Sequence, residues 1–284
     1  MLYYYAHTGH KVGLERLRRG MALKEALAAH GIEMQMLVND FRAGVAMKDE
    51  QGLREYITIE TIQDIDAVAQ KGDSVIIDSN EDEHGRLVKF VADFAYVWRF
   101  AHDANDISIH GETLFIEGCQ EEDCLEAVIV NEVYQEAHAK TERTLFFLRD
   151  YDHDKTILSH PEFFEAFDME LLLGHYFYVK YEDDLAKLFG TLHEPETYVE
   201  MLQQSSKVVT ASAQTALEAK AAGAHVVFLK LADEPLYSIE TLQYYGVIIV
   251  EGFDVNALKT ALERTPRSPS LSQINLEPLL TKLK

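Results

Sequence analysis

The segment YYYAHTGHKVGLERLRRG, residues 3–20, sets an apolar run, two histidines and two glycines directly ahead of a helical pattern. Gly9 and Gly13 permit tight backbone turns. The loop ends at a helix start, where free amide N–H groups and the helix dipole attract an anion. His10 sits at the tip of this loop. An imidazole with an ordinary pKa of about 6.5 serves as a general base near neutral pH. Lys11, Arg16, Arg18 and Arg19 form the densest basic cluster of the chain. Thr8, Gly9, Lys11, Gly13 and Arg16 are therefore expected to bind substrate around a catalytic His10. The plainer alternative is a pair of surface histidines beside solvated cations. His7 and His10 also read as H-x-x-H, but no third ligand stands nearby, so no metal is expected.

Three further segments carry chemistry. In residues 207–230 an apolar strand runs into small polar residues and then a helix. Ser212, Gln214 and Thr215 offer hydroxyl and amide groups beside the helix start, and the Glu218 carboxylate can accept two hydrogen bonds from a ribose diol. The alternative is that Ser212 only caps the helix and Glu218 is solvated. Asp78 ends the apolar run SVIID, and at a strand end it would orient His10 or bind a sugar hydroxyl. Its alternative is to cap the next turn. In RDYDHDK, residues 149–155, Asp150, Asp152 and Asp154 alternate like the start of a calcium loop. The sixth position is Lys155 rather than glycine and the twelfth is Pro161 rather than glutamate, so a solvated acidic loop is expected.

These residues need elements to hold them. Short apolar runs alternate with helical stretches, which predicts parallel βαβ units. Strands are expected at Leu2–Ala6, 33–38, 55–59, Ser74–Asp78, 95–100 and 113–117, with helices at 14–30, 61–70 and 83–93 and a long helical pattern at 122–140. The second half restarts the alternation, with strands at 144–149, 176–179, 207–211, 226–229 and 247–251. Its helices are expected at 162–173, 195–204, 213–222 and 256–264. Residues 265–270, TPRSPS, read as a linker, and 271–284 as a short helix packing back on the first half. The fold class is α/β, with two Rossmann-like domains, 1–140 and 141–284, whose parallel sheets face a central cleft. Ligands bind at the carboxyl ends of the strands in such folds.

The net charge is −22, a field that repels phosphate backbones and excludes broad nucleic-acid binding. A site for a small anion must then be locally basic or built from backbone amides. No apolar run approaches the roughly 20 residues of a membrane helix, and MLYYYAHTGH lacks the features of a signal peptide. Cys119 and Cys124, in CQEEDC, are not spaced as C-x-x-C and have no second pair, so they are expected as free thiols in a reducing compartment. Together these features predict a cytoplasmic protein.

In their order along the chain these segments resemble the two-domain glycosyltransferase superfamily known as GT-B, and in particular the UDP-sugar hydrolases of pseudaminic acid biosynthesis. TGHKVG resembles the family's G-x-G-H loop after the first strand, and SVIIDSNED its apolar strand ending in Asp. NEVYQEA, residues 131–137, resembles the segment that crosses into the second domain. TASAQTALEA resembles the nucleotide-binding strand–helix turn, with Glu218 at the ribose position. The resemblance implies that His10 activates a water that releases UDP from a 2,4-diacetamido sugar, or, as in the transferase relatives, an acceptor. It implies a UDP-sugar or related nucleotide-sugar as partner and no cofactor.

The chain also departs from that pattern. Gly13 stands where the family often has arginine, and Ser79, Asn80 and Glu81 follow the strand-end Asp where a tyrosine is usual. Arg149, Asp150, Tyr151 and Asp152 replace a glycine-rich turn, and Asp233 and Glu234 replace an Asn-Gln pair. These changes keep a second expectation open, a GT-B-shaped binding or partner protein without catalysis.

Overall fold

A computed structural model describes residues 1–119, 121, 124–177, 179–264, 271 and 274–283. The chain divides into two compact units, Met1–Asn131 with Gln273–Lys284, and Glu132–Ser272.

The first unit is built on a seven-stranded sheet. Its strands are β1 (Leu2–Ala6), β2 (Met34–Val38), β3 (Tyr56–Thr58), β4 (Ser74–Asp78), β5 (Tyr96–Phe100), β6 (Thr113–Ile116) and β7 (Leu125–Glu126). All pair in parallel in the order β3-β2-β1-β4-β5-β6-β7. The chain winds outward from β1 in one direction and then from β4 in the other, so the switch point lies between β1 and β4. Central strands of such sheets are covered on both faces and read as continuous apolar runs; β4 is buried throughout. Helices α1 (Glu15–Ala28), α2 (Phe41–Gln51), α3 (Ile65–Val68) and α4 (Arg86–Asp93) connect the strands. Gly20 lets α1 lie on β1, because a Cβ there would meet Tyr4 Cε1 at 2.6 Å.

The second unit holds β8 (Thr141–Phe147), β9 (Glu170–Leu172), β10 (Leu192–His193), β11 (Ser205–Thr210), β12 (His225–Lys230) and β13 (Ile248–Glu251). They pair in parallel in the order β10-β9-β8-β11-β12-β13, with the switch point between β8 and β11. Around them lie α5 (Pro161–Glu165), α6 (Val179–Leu185), α7 (Tyr198–Gln204), α8 (Ala213–Ala221), α9 (Ile239–Tyr244) and α10 (Val255–Glu263). One face is packed by Phe146, Phe163, Phe164 and Phe189. A last helix, α11 (Glu277–Leu283), belongs to the first unit, where Lys282 Nζ donates to Thr113 Oγ1 at 3.0 Å.

Several expectations are corrected. Instead of a helix at 122–140 there are β7 and a 3₁₀ turn, Glu132–Gln135. The helix expected at 162–173 stops at Glu165, and Glu170–Leu172 is a strand held between β8 and β10. No strand forms at 176–179 among the described residues; α6 begins at Val179. Helix α2 was not foreseen, although Asp40 caps its start on the Arg42 amide and Gly52, at φ 73°, closes it. The expected linker 265–270 lies outside the described residues. Cys119 and Cys124 are not free thiols but a disulfide, a bond that is rare in reducing compartments. The loop 149–155 is not a solvated acidic loop, since Asp150 and Asp152 are buried.

Candidate functional site

At the first unit's switch point the His7 amide donates to the Asp78 carbonyl at 2.9 Å, fastening the exit of β1 to that of β4. The chain then closes on itself: the amides of Val12 and Gly13 both donate to the Gly9 carbonyl, at 2.9 and 2.7 Å. Gly9 at φ 136° and Gly13 at φ 84° occupy backbone regions that favour glycine. Thr8 is buried, and its amide and hydroxyl donate to Asn39 Oδ1 at 2.7 and 3.0 Å. This clamp leaves His10 and Lys11 exposed at the tip. Asp40 flanks it. Partial burial raises the Asp40 carboxyl, but hydrogen bonds and charge from Arg42, with a smaller pull from His10, hold it below the usual carboxylate range. His7 Nδ1 lies 2.6 Å from Asn80 Oδ1. An oxygen facing the ring requires the proton on Nδ1 and leaves the lone pair on Nε2.

Two carboxylates offset half the charge of the expected basic cluster. Arg19 grips Asp78 with Nε and Nη2, at 2.9 and 2.5 Å, and its guanidinium carbon lies 3.6 Å from the centre of the Phe100 ring. Tyr4 donates to Asp78 at 2.6 Å, and Arg16 Nε is 3.4 Å away. Asp78 is 1% exposed and has no contact with His10 among these partners. It binds α1 to the sheet rather than orienting the histidine. Arg18 makes a fully buried pair with Glu50, at 2.8 and 2.7 Å.

At the second unit's switch point the residues expected to hold a nucleotide do come together. Ser212 Oγ accepts from the Thr215 amide at 3.2 Å and lies 2.7 Å from Thr215 Oγ1. Gln214 Nε2 donates to Glu218 Oε1 at 2.9 Å. Two tyrosines not singled out in the sequence complete the set. Tyr198, at the start of α7, donates to Glu218 Oε2, and Tyr237 donates to Gln214 Oε1 at 2.7 Å. Glu218 is 1% exposed and accepts from Tyr198 and Gln214. Each carboxylate oxygen can accept a further bond, so burial rather than saturation governs how a ribose diol would reach it.

The loop after β8 is anchored by Asp152, which accepts from the amides of Thr156 and Ile157, at 2.7 and 3.1 Å, and from the Tyr181 hydroxyl. Glycine is required at 174, where a Cβ would lie 2.5 Å from the backbone of Arg149 and Asp150. Arg149 pairs with Asp233, donates to Tyr151 Oη at 3.1 Å and lies over that ring. Among the described residues no group of three or more His, Cys, Asp or Glu is placed to hold a metal ion. No helix among them is long and apolar enough to cross a membrane.

No family model matches the chain, and no curated protein matches it by sequence. Solved structures do. UDP-GlcNAc 2-epimerase from Methanocaldococcus jannaschii, in complex with UDP-GlcNAc and UDP, superposes with a TM-score of 0.60 at 14% identity, over 100% of this chain and 99% of that one. E. coli heptosyltransferase WaaC with ADP-2-deoxy-2-fluoro heptose superposes at 0.51 and 12% identity, over 92% of this chain and 98% of that one. The fold is GT-B. At these identities the likeness speaks for the fold, two Rossmann-like α/β units with parallel sheets, and function has to be argued from the site.

Proposed function

We propose that this protein processes a nucleotide-sugar, as a UDP-sugar hydrolase or a glycosyltransferase-like enzyme with His10 as general base. The observation that carries the reading is the meeting of Ser212, Gln214, Thr215 and Glu218 in one buried network at the start of α8. This is the carboxyl end of the sheet at a switch point, where open α/β folds bind ligands. The two solved neighbours hold a UDP-sugar and an ADP-sugar analogue, which supports a nucleotide-sugar here. In the hydrolase reading His10 takes a proton from water as its oxygen attacks the anomeric carbon, and UDP leaves with the electron pair of the broken C–O bond. A transferase differs only in that an acceptor hydroxyl replaces water. The 2,4-diacetamido sugar of pseudaminic acid biosynthesis is the substrate suggested by the sequence resemblance. Thr8, Gly9, Gly13 and Lys11 form the loop that presents His10. Arg16 and Asp78 act as positioning residues, through the clamp that ties α1 to β1 and β4.

A specific observation favours a second reading, a non-catalytic binding or partner protein that takes no nucleotide: the Glu218 carboxylate is buried and already held by Tyr198 and Gln214. Titration with UDP by calorimetry, with and without Mg²⁺, beside Glu218→Ala separates the two. Under the enzyme reading UDP binds and the variant weakens it, and His10→Ala abolishes turnover of a UDP-sugar while the melting temperature is unchanged. Absence of UDP binding, with no UDP-induced rise in melting temperature, favours the second.

A further inference from the structure

Resting on the nucleotide-sugar reading, the loop between β12 and α9 deepens it. In the sheet order β11 lies between β8 and β12. Arg149 follows β8, and the pairing of β8 with β11 continues to its doorstep, with the Ala211 amide donating to the Leu148 carbonyl at 3.2 Å. Asp233 follows β12. Their ion pair therefore spans the exit of β11 and the approach to α8. The same loop is fastened a second time, by Tyr237 on Gln214 in the first turn of α8. The two fastenings differ in kind. Tyr237 is buried and its bond is neutral, whereas the Asp233 side chain is 68% exposed and its bond is ionic. Arg149, by contrast, is held with its side chain 16% exposed, between Asp233 and the Tyr151 ring. A guanidinium fork fits a carboxylate and a phosphate equally well. Arg149 is thus a largely buried cation at a switch point of a chain of net charge −22, and the carboxylate paired with it is itself largely exposed.

We infer that Arg149 is the receptor for the diphosphate group of the ligand and that Asp233 is its resident competitor, a carboxylate that occupies the phosphate position until ligand displaces it. Tyr237–Gln214 is the fixed end about which the loop yields. The loop thus selects for ligands whose anionic group outbids a single carboxylate, which a diphosphate does and an uncharged nucleoside does not.

The test is calorimetry on the full chain at fixed ionic strength with three probes: UDP, uridine and inorganic pyrophosphate. Asp233→Asn is expected to tighten UDP and pyrophosphate about five-fold, the worth of a partly exposed ion pair, and to leave uridine unchanged. Arg149→Gln is expected to weaken both anions about ten-fold or more and to cancel the gain in the double variant. Arg149→Lys keeps the charge without the fork and covers the case in which the glutamine variant folds poorly. UDP binding that is unchanged or weakened by Asp233→Asn overturns the inference while leaving the nucleotide reading standing. Pyrophosphate that tightens in Asp233→Asn while UDP does not bind supports the anion receptor and rejects the nucleotide. Absence of binding of both anions in every variant overturns both.

Discussion

The Tyr198 hydroxyl stands 2.5 Å from Glu218 Oε2 and 2.7 Å from Thr215 Oγ1, so one side chain from α7 bridges two residues of α8. All three are buried. Tyr198→Phe leaves a buried carboxylate oxygen without that donor, and such losses cost about 1–3 kcal/mol. Urea unfolding of the variant should show a drop of that size, with the m-value unchanged. A drop under about 0.5 kcal/mol, the usual scale of a surface change, would mean that Glu218 is not held as described.

Arg18 and Glu50 form a pair with both side chains fully buried. Removing one partner takes the counter-charge from a buried ion, and Arg18→Met or Glu50→Met should each cost about 3–5 kcal/mol. The double replacement Arg18→Met with Glu50→Met should recover much of that loss. Chemical denaturation of the two singles and the double tests this, and a double variant as weak as the sum of the singles would show that the two side chains are not coupled.

His7 is predicted to carry its proton on Nδ1, because Asn80 presents an oxygen to it at 2.6 Å. Nitrogen-15 spectra of the imidazoles above neutral pH should report that tautomer for His7. Asn80→Ala should release it toward the mixture of an unrestrained histidine. A wild-type ring already in the mixed state would exclude the contact.

Asp106 supplies an acid-sensitive element. Its hydrogen bonds from Arg99 lower its pKa from 3.8 to about 2, against a smaller opposing effect of burial. A carboxyl depressed in the folded state stabilises the fold above its unfolded pKa, and that stability is lost as pH falls through the folded one. The loss should thus fall between about pH 4 and pH 2. Asp106→Asn should remove this part of the acid dependence, together with stability at neutral pH. Urea midpoints measured across that window for both proteins decide it; parallel profiles would show that Asp106 is not coupled to folding.

The alternation of strands and helices was legible because central parallel strands, covered on both faces, are written as apolar runs such as residues 74–77 and 226–229. The short strands β7, β9 and β10 were not. Leu171 and Leu172 continue an apolar run that fits a helix equally well, and only β8 and β10 on either side make Glu170–Leu172 a strand. Helix α2 carries local signals in Asp40 and Gly52, a cap and a stop, without a long apolar run between them.

The site divides in the same way. Gly9 and Gly13 announced a tight loop with His10 at its tip, since only glycine takes those backbone angles without strain. The Ser212–Glu218 set was also visible, being contained in two helical turns. What each charged group does was decided only by folding. Arg16, Arg18 and Arg19 look like an anion site in one dimension, yet Asp78 and Glu50, 59 and 32 positions from Arg19 and Arg18 respectively, offset two of their three charges. Tyr198, Tyr237 and Asp233 likewise reach their partners from other elements. Local residue types set backbone conformation and helix ends, because those depend on neighbours a few positions away. Burial and ion pairing depend on which distant segments the sheet order brings together, and no local pattern encodes that.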